Sequence, residues 1–132
     1  MALMTDNRTR RILTAREQLI ALTAFRRVAD RWGLDKCARC TLLAASARSI
    51  KRWEANPPSV KLGRDRLERI SYVLGIFTGL HTLFGEASLA DEWILRSNLD
   101  FGGASPLDRM LGGNVADLAF VRMYVDRWSA GA

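Results

Sequence analysis

The sequence predicts an all-α chain, an N-terminal helix-turn-helix bundle that continues into a small C-terminal helical domain. Three observations predict this. Apolar residues recur at three- and four-residue steps along most of the chain, whereas strict apolar–polar alternation is hard to find. Glycine and proline punctuate the periodic stretches at Gly33, Pro57-Pro58, Gly85, Gly102-Gly103, Pro106 and Gly112-Gly113. Charge is divided unevenly: residues 1–66 hold 15 Lys and Arg against 6 Asp and Glu, while residues 67–132 hold 5 against 8. The first part therefore suits a polyanion and the second something else.

The first helix runs from about Thr14 to Trp32, with Leu19, Leu22, Phe25, Ala29 and Trp32 on one face and Gly33 as its stop. Asp35 is placed to cap a short helix that reaches about Ala44. Ser46 is placed to cap the next, from Ala47 to about Ala55, where proline cannot continue the hydrogen-bond ladder. A longer helix over Arg64–Phe84 is apolar around much of its circumference and so belongs at the centre of the core. Gly75 and Gly79 would let another helix approach it closely, and Gly85 closes it. A helix over Ser88–Ser97 carries Trp93, Ile94 and Leu95. Pro106 then suits the first position of a short helix ending near Leu111, and Asn114 opens a last helix to about Trp128. The stretch from Phe101 to Trp128 has too little apolar surface for a core of its own and must dock on the Arg64–Phe84 helix.

Residues 34–54 have the logic of a helix-turn-helix. Cys37, Leu42 and Leu43 face the core from the first helix, the turn falls at Ala44-Ala45, and Ile50 and Trp53 anchor the second. Ser46, Arg48, Ser49, Lys51 and Arg52 are left for the outer face. Short hydroxyl side chains at a helix start can approach phosphates, and arginine can bond guanine through two hydrogen bonds. With the basic balance of this half, the reading is DNA binding. Two such hairpins would read a palindrome as a homodimer, with the helix around Gly75 and Gly79 as the expected contact between copies.

Other chemistry finds little support. A composition of 48% hydrophobic and 26% charged residues describes a folded globular chain. No apolar run suits a secretory signal or a membrane span, so a cytoplasmic protein is expected. The Cys37–Cys40 pair lacks further ligands beyond the single His81, so no metal is expected, and both cysteines read as small buried apolar groups. His81 lies in the core-helix pattern and reads as structural. No phosphate loop or nucleophile–base set occurs, so neither enzymatic activity nor a cofactor is expected.

From Leu62 onward the chain carries a series of uncommon motifs in order. They are Arg66-Leu-Glu-Arg-Ile-Ser-Tyr-Val-Leu-Gly-Ile76, Leu80-His-Thr-Leu-Phe84, Ala90-Asp-Glu-Trp93, Ser97-Asn98 and Phe101-Gly-Gly. After them come Ser105-Pro-Leu-Asp-Arg-Met110, Gly113-Asn-Val-Ala-Asp-Leu118 and Val121-Arg-Met-Tyr-Val-Asp-Arg127. Over residues 62–127 the chain resembles antitoxins of the Xre/MbcA/ParS type, whose helix-turn-helix lies upstream as it does here. The resemblance implies a basic domain (1–60) on the operon's own promoter and a toxin-binding domain (61–132) on a RES-type toxin that uses or destroys NAD. The C-terminal end of such antitoxins reaches into, or lies over, the toxin's active-site cleft.

By matching position, Tyr124, Arg127 and the following residues, Trp128 among them, are implied to meet the toxin, with Arg122 and Asp126 flanking on the same helix. The Ser105–Met110 and Gly113–Leu118 motifs are implied to shape the domain. Such relatives commonly continue into a glycine-rich tail bearing an aromatic residue. This sequence reads Ser129-Ala-Gly-Ala132; if the plug normally needs that tail, inhibition is expected from the helix itself, through Tyr124 and Arg127 or only by covering the cleft. Leu118, Val121, Val125 and Trp128 should pack inward on that helix, although Tyr124 and Trp128 equally suit a core role and Arg127 a solvated one. The alternative is a stand-alone helix-turn-helix regulator whose C-terminal domain dimerises or senses a ligand.

Overall fold

The computed structural model describes residues 14–131, which form seven α-helices and no strand among the described residues. Helix α1 (Ala15–Arg31) opens on a reciprocal cap. Thr14 Oγ1 accepts the Glu17 amide at 3.1 Å, and Glu17 Oε1 accepts the Thr14 amide at 2.9 Å. Helix α2 (Lys36–Leu43) starts under Asp35, whose carboxylate accepts from the Ala38 amide at 2.8 Å. Helix α3 (Ala47–Ala55) starts under Ser46, and Pro57–Ser59 form a short 3-10 turn beyond it.

The turn between α2 and α3 has no glycine. Ala44 itself takes the left-handed conformation, at φ 54°, which costs a residue with a Cβ about 1–2 kcal/mol. Two arginines from the fourth helix, over residues Gly63–Phe84, hold this turn. Arg66 Nε donates to the Ala44 carbonyl at 3.3 Å, and Arg69 Nη1 donates to the Leu42 carbonyl at 3.4 Å. Cations at the carbonyl end of a helix also meet its negative dipole end.

Helix α4 (Gly63–Phe84) is the central element, as its pattern predicts: it packs on α1, α5 and α7 and buries Ile70, Val73, Ile76 and Leu80. Helices α5 (Ala87–Trp93), α6 (Pro106–Met110) and α7 (Val115–Gly131) complete the order, with a second 3-10 turn at Leu99–Phe101. Pro106 occupies the first turn of α6 behind a cap made by Ser105 and Asp108. One continuous core joins Leu22, Phe25, Leu42, Leu43 and Trp53 to Ile76, Leu80, Leu118, Val121 and Val125. The C-terminal segment thus borrows its core from α4. No helix among the described residues is long and apolar enough to cross a membrane.

Four expectations need correction. The helix expected over Ser88–Ser97 stops at Trp93, because the buried Ile94 gives its carbonyl to the Leu107 amide at 2.9 Å instead of continuing the ladder. The cysteines are not buried: Cys37 is exposed and Cys40 half-buried, both as free thiols. Leu42 and Leu43 supply the inward face of α2, and Cys37 falls off that stripe, so it does not anchor the hairpin.

Trp128, expected inward with Leu118, Val121 and Val125, is 40% exposed. It packs edge-on against Phe84, the last residue of α4, and past that residue α4 supplies no further cover. Finally, the neighbour admitted by Gly75 and Gly79 is α7 of the same chain. A Cβ at Gly79 would lie 2.7 Å from Val125 Cγ1, and one at Gly75 would collide with the Arg122 guanidinium. That face of α4 is occupied and does not serve as the contact between copies.

Candidate functional site

Two surfaces gather the residues singled out in the sequence. The first is the outer face of α3. Ser46 spends its hydroxyl on the cap, accepting the Ser49 amide at 3.0 Å and donating to Ser49 Oγ at 3.1 Å. Arg48, Lys51 and Arg52 are exposed and have no ion-pair partner among the described residues. The acid nearest in sequence, Glu54, is bound to Arg26 of α1 at 3.2 Å. Beneath them Trp53 is buried, and the Arg66 guanidinium lies 5.5 Å from its ring centroid. The cations are therefore mounted on an anchored helix and aimed away from the core, as recognition of a phosphate backbone requires.

Several other arginines among the described residues are engaged in the fold. Arg39 reaches Asp30 at 2.8 Å and the Leu34 carbonyl at 2.9 Å. Arg31 binds Asp91 at 2.6 Å, and the other oxygen of that carboxylate faces His81 Nε2 at 3.3 Å. His81 Nδ1 sits 2.9 Å from the Phe77 carbonyl one turn earlier in α4, and it is the Arg31–Asp91 pair that ties α1 to α5. Arg69 is only 8% exposed and adds bonds to Asp65 at 3.1 Å and to the Gly113 carbonyl at 3.1 Å. It thereby links the end of α2 to the loop before α7, a role with no periodic signature in the sequence.

The second surface is an aromatic cluster on the C-terminal elements. Trp93 lies 5.8 Å from Tyr124, 6.0 Å from Phe101 and 5.7 Å from Trp128, centroid to centroid. Phe101 adds Tyr124 at 5.1 Å and Phe120 at 5.8 Å, and Phe84 closes on Trp128 at 5.6 Å. Tyr124 donates its hydroxyl to Asp100 Oδ2 at 2.6 Å. That bond to an anionic acceptor holds the phenol above its ordinary range, and partial burial adds to the effect.

The five residues carried over to α7 do not share one face, as the 100° step of a helix requires. Tyr124 and Trp128 lie on the cluster side. Arg122 and Asp126 lie on the opposite flank, paired at 3.1 Å, with Arg122 Nη1 also donating to the Ser71 carbonyl at 3.3 Å. Arg127 is exposed on the outward face, with no ion-pair partner among the described residues. There it accompanies two residues that sequence reasoning does not single out, Phe120 at 40% and Met123 at 51% exposure. A signal for them exists: positions 120, 123 and 127 fall opposite the Leu118–Val121–Val125 stripe.

Arg109 braces this end. Its guanidinium stacks 3.9 Å from the Phe120 centroid, and its Nε bonds Asp117 at 2.9 Å. The Arg109 bond holds the Asp117 carboxyl below the usual carboxylate range, against some opposition from burial, with the Asn114 amide assisting. Asp117 can approach the turn because Gly112 has no Cβ, which would stand 2.5 Å from its Oδ2.

Comparison with known proteins gives both surfaces a context. Residues 11–75 match the antitoxin Xre-like helix-turn-helix domain, and residues 80–131 match the antitoxin Xre/MbcA/ParS C-terminal toxin-binding domain. The chain is also 41% identical over 111 residues to the uncharacterized protein y4oB of Sinorhizobium fredii, covering 83% of this chain and 84% of that one. With the helix-turn-helix and the C-terminal helices both in place, the chain belongs to the Xre/MbcA/ParS antitoxins, joining a DNA-binding fold to a toxin-binding domain.

Proposed function

We propose that this antitoxin neutralises a RES-domain, NAD-consuming toxin by covering its active site, and represses its own operon as a cytoplasmic homodimer that also assembles with the toxin into a larger complex. It acts by binding alone. Residues 1–60 carry the DNA function and residues 61–132 the toxin function, with α4 as the shared support. On the DNA side Arg48, Lys51 and Arg52 neutralise phosphates or read base edges, while Ser46 and Ser49 set the start of the helix at the backbone.

On the toxin side Tyr124 and Trp128 present ring edges, and Arg127 offers a free planar fork for an acidic or phosphate-recognising pocket. Arg122 and Asp126 flank them and hold α7 in register with α4. The observation that carries this reading is the separation of the two surfaces. Unpaired cations sit on α3, and a half-exposed aromatic cluster lies within residues 84–128, inside the stretch that matches the toxin-binding domain.

The test is co-expression with a RES-domain toxin, sought first in the gene beside that of the chain, followed by growth and cellular NAD measurements. The wild-type chain should restore both. The double substitution Arg127→Glu with Trp128→Ala should restore neither, while its folded yield stays unchanged. Point substitutions are needed, since truncation before Val125 would remove a fully buried core residue. A chain that binds DNA tightly but leaves NAD depletion untouched would instead be the stand-alone regulator.

A further inference from the structure

Leu99 is the most exposed large apolar side chain of the described residues, at 92%. It stands at the start of the Leu99–Phe101 turn, and that turn is braced on every side. Asn98 Oδ1 accepts the Asp100 amide at 2.9 Å, and the Asn98 carbonyl accepts the Phe101 amide at 2.9 Å and the Gly103 amide at 3.0 Å. The Asn98 amide itself donates to the Ala104 carbonyl at 3.0 Å. The next two side chains are tied down as well: Asp100 holds the Tyr124 hydroxyl at 2.6 Å, and the Phe101 ring packs on Trp93, Tyr124 and Phe120. Leu99 alone is left out of this packing. An apolar side chain on a rigid mount loses little conformational entropy when a partner covers it, which is what an interface anchor requires.

We propose that Leu99 is a second toxin anchor, separate from the end of α7, which enters an apolar recess next to the cleft that α7 covers. The inference rests on the functional reading above. The toxin is the occupant because residues 80–131 match a toxin-binding domain. The turn is also continuous with the α7 surface, since Phe101 touches both Tyr124 and Phe120. Phe120 and Met123, exposed on α7, extend the apolar surface on that helix.

The experiment measures affinity for the purified RES-domain toxin of the co-expression test, using the full chain and its Leu99→Asp and Leu99→Met variants. Thermal stability and solution mass of each chain alone are recorded in parallel. Leu99→Asp should weaken toxin binding by about tenfold or more, and Leu99→Met should stay within about twofold of wild type, because it keeps the apolar volume. Neither should change the melting temperature, as the side chain has no packing to lose. Wild-type affinity in Leu99→Asp overturns the inference. So does a change in the mass of the chain alone with toxin affinity retained, which would assign Leu99 to an interface between copies. If the wild-type chain itself fails to bind that toxin, the functional reading falls, and this anchor with it.

Discussion

Arginine is put to opposite uses on α3 and α7. On α3, Arg48 and Arg52 stand with Lys51 on an exposed face where the fold supplies no counter-charge, since Glu54 is held by Arg26. On α7, Arg122 is bonded to Asp126 and to the Ser71 carbonyl, and nearby Arg109 is bonded to Asp117 and stacked on Phe120. A cation's role is therefore set less by its helix position than by whether an acid or a ring lies within reach. The N-terminal surface keeps its charge for an external anion. The C-terminal surface uses most of its charge internally and leaves aromatic and aliphatic edges as its contact chemistry, with Arg127 as the exception.

The sharpest way to break this contrast is charge reversal on α3. Arg48→Glu, Lys51→Glu and Arg52→Glu together should weaken DNA binding by about a hundredfold or more at low salt. The slope of log affinity against log salt should also fall by about 1 for each phosphate that is no longer neutralised. Toxin affinity and melting temperature should stay at wild-type values, because none of the three has an ion-pair partner among the described residues. Electrophoretic mobility shift across a salt series, with toxin titration in parallel, measures both. A loss of both activities in a folded protein would show that the surfaces are not independent.

Much of this division is legible in the sequence, and the exceptions have physical causes. The helix starts follow from Thr14, Asp35, Ser46 and Ser105, each of which caps the helix it precedes. The outward placement of Arg48, Lys51 and Arg52 follows from Ile50 and Trp53, since the buried Trp53 and the partly buried Ile50 three residues before it fix the phase of a nine-residue helix. What the sequence hides are relations across the fold. The Tyr124–Asp100 bond joins residues 24 apart, and the Arg69 bridge to Gly113 spans 44. Trp128 shows the same limit in reverse: its periodicity places it inward, but its exposure depends on where α4 ends. Cys37 stays outside the core for a related reason, since two adjacent leucines already fill the inward face of a short helix.

The seam between α4 and α7, on which the C-terminal surface is built, offers a finer comparison. Alanine in place of a helical glycine gains about 1 kcal/mol in propensity. At Gly79 the new methyl would meet Val125, which is fully buried and held by the core, so the helices must move apart. Such overpacking costs about 1–3 kcal/mol, and Gly79→Ala should lower the melting temperature by a few degrees. At Gly75 the obstacle is only the end of the Arg122 side chain, which can swing into solvent and give up its bond to Ser71. Gly75→Ala should therefore melt at or slightly above wild type. Thermal denaturation of the two variants side by side checks the difference in sign. Equal losses would mean that Arg122 is held as firmly as Val125.

The smallest expected effect is a pair of pH limbs originating in the C-terminal surface. Asp117 is held below its ordinary value of 3.8, first by the Arg109 hydrogen bond. Its contribution is present above that value and is lost as the pH falls through the lower folded-state value. Tyr124 is held above its ordinary value of 10.0, first by its bond to Asp100, so its contribution is present below that value and is lost as the pH rises through the higher one. Tyr72 adds to the alkaline limb in the same sense, through burial and then Glu68. Asp117→Asn should flatten the loss of melting temperature on the acid side only. Tyr124→Phe should flatten part of the loss on the alkaline side, with Tyr72 accounting for a remainder. Melting curves of the two variants and wild type across both limbs separate these contributions. If Tyr124→Phe instead melts like wild type at every pH, the Asp100 bond adds no net stability. The firmness of the Leu99 turn would then rest on Asn98 and the aromatic packing rather than on that carboxylate.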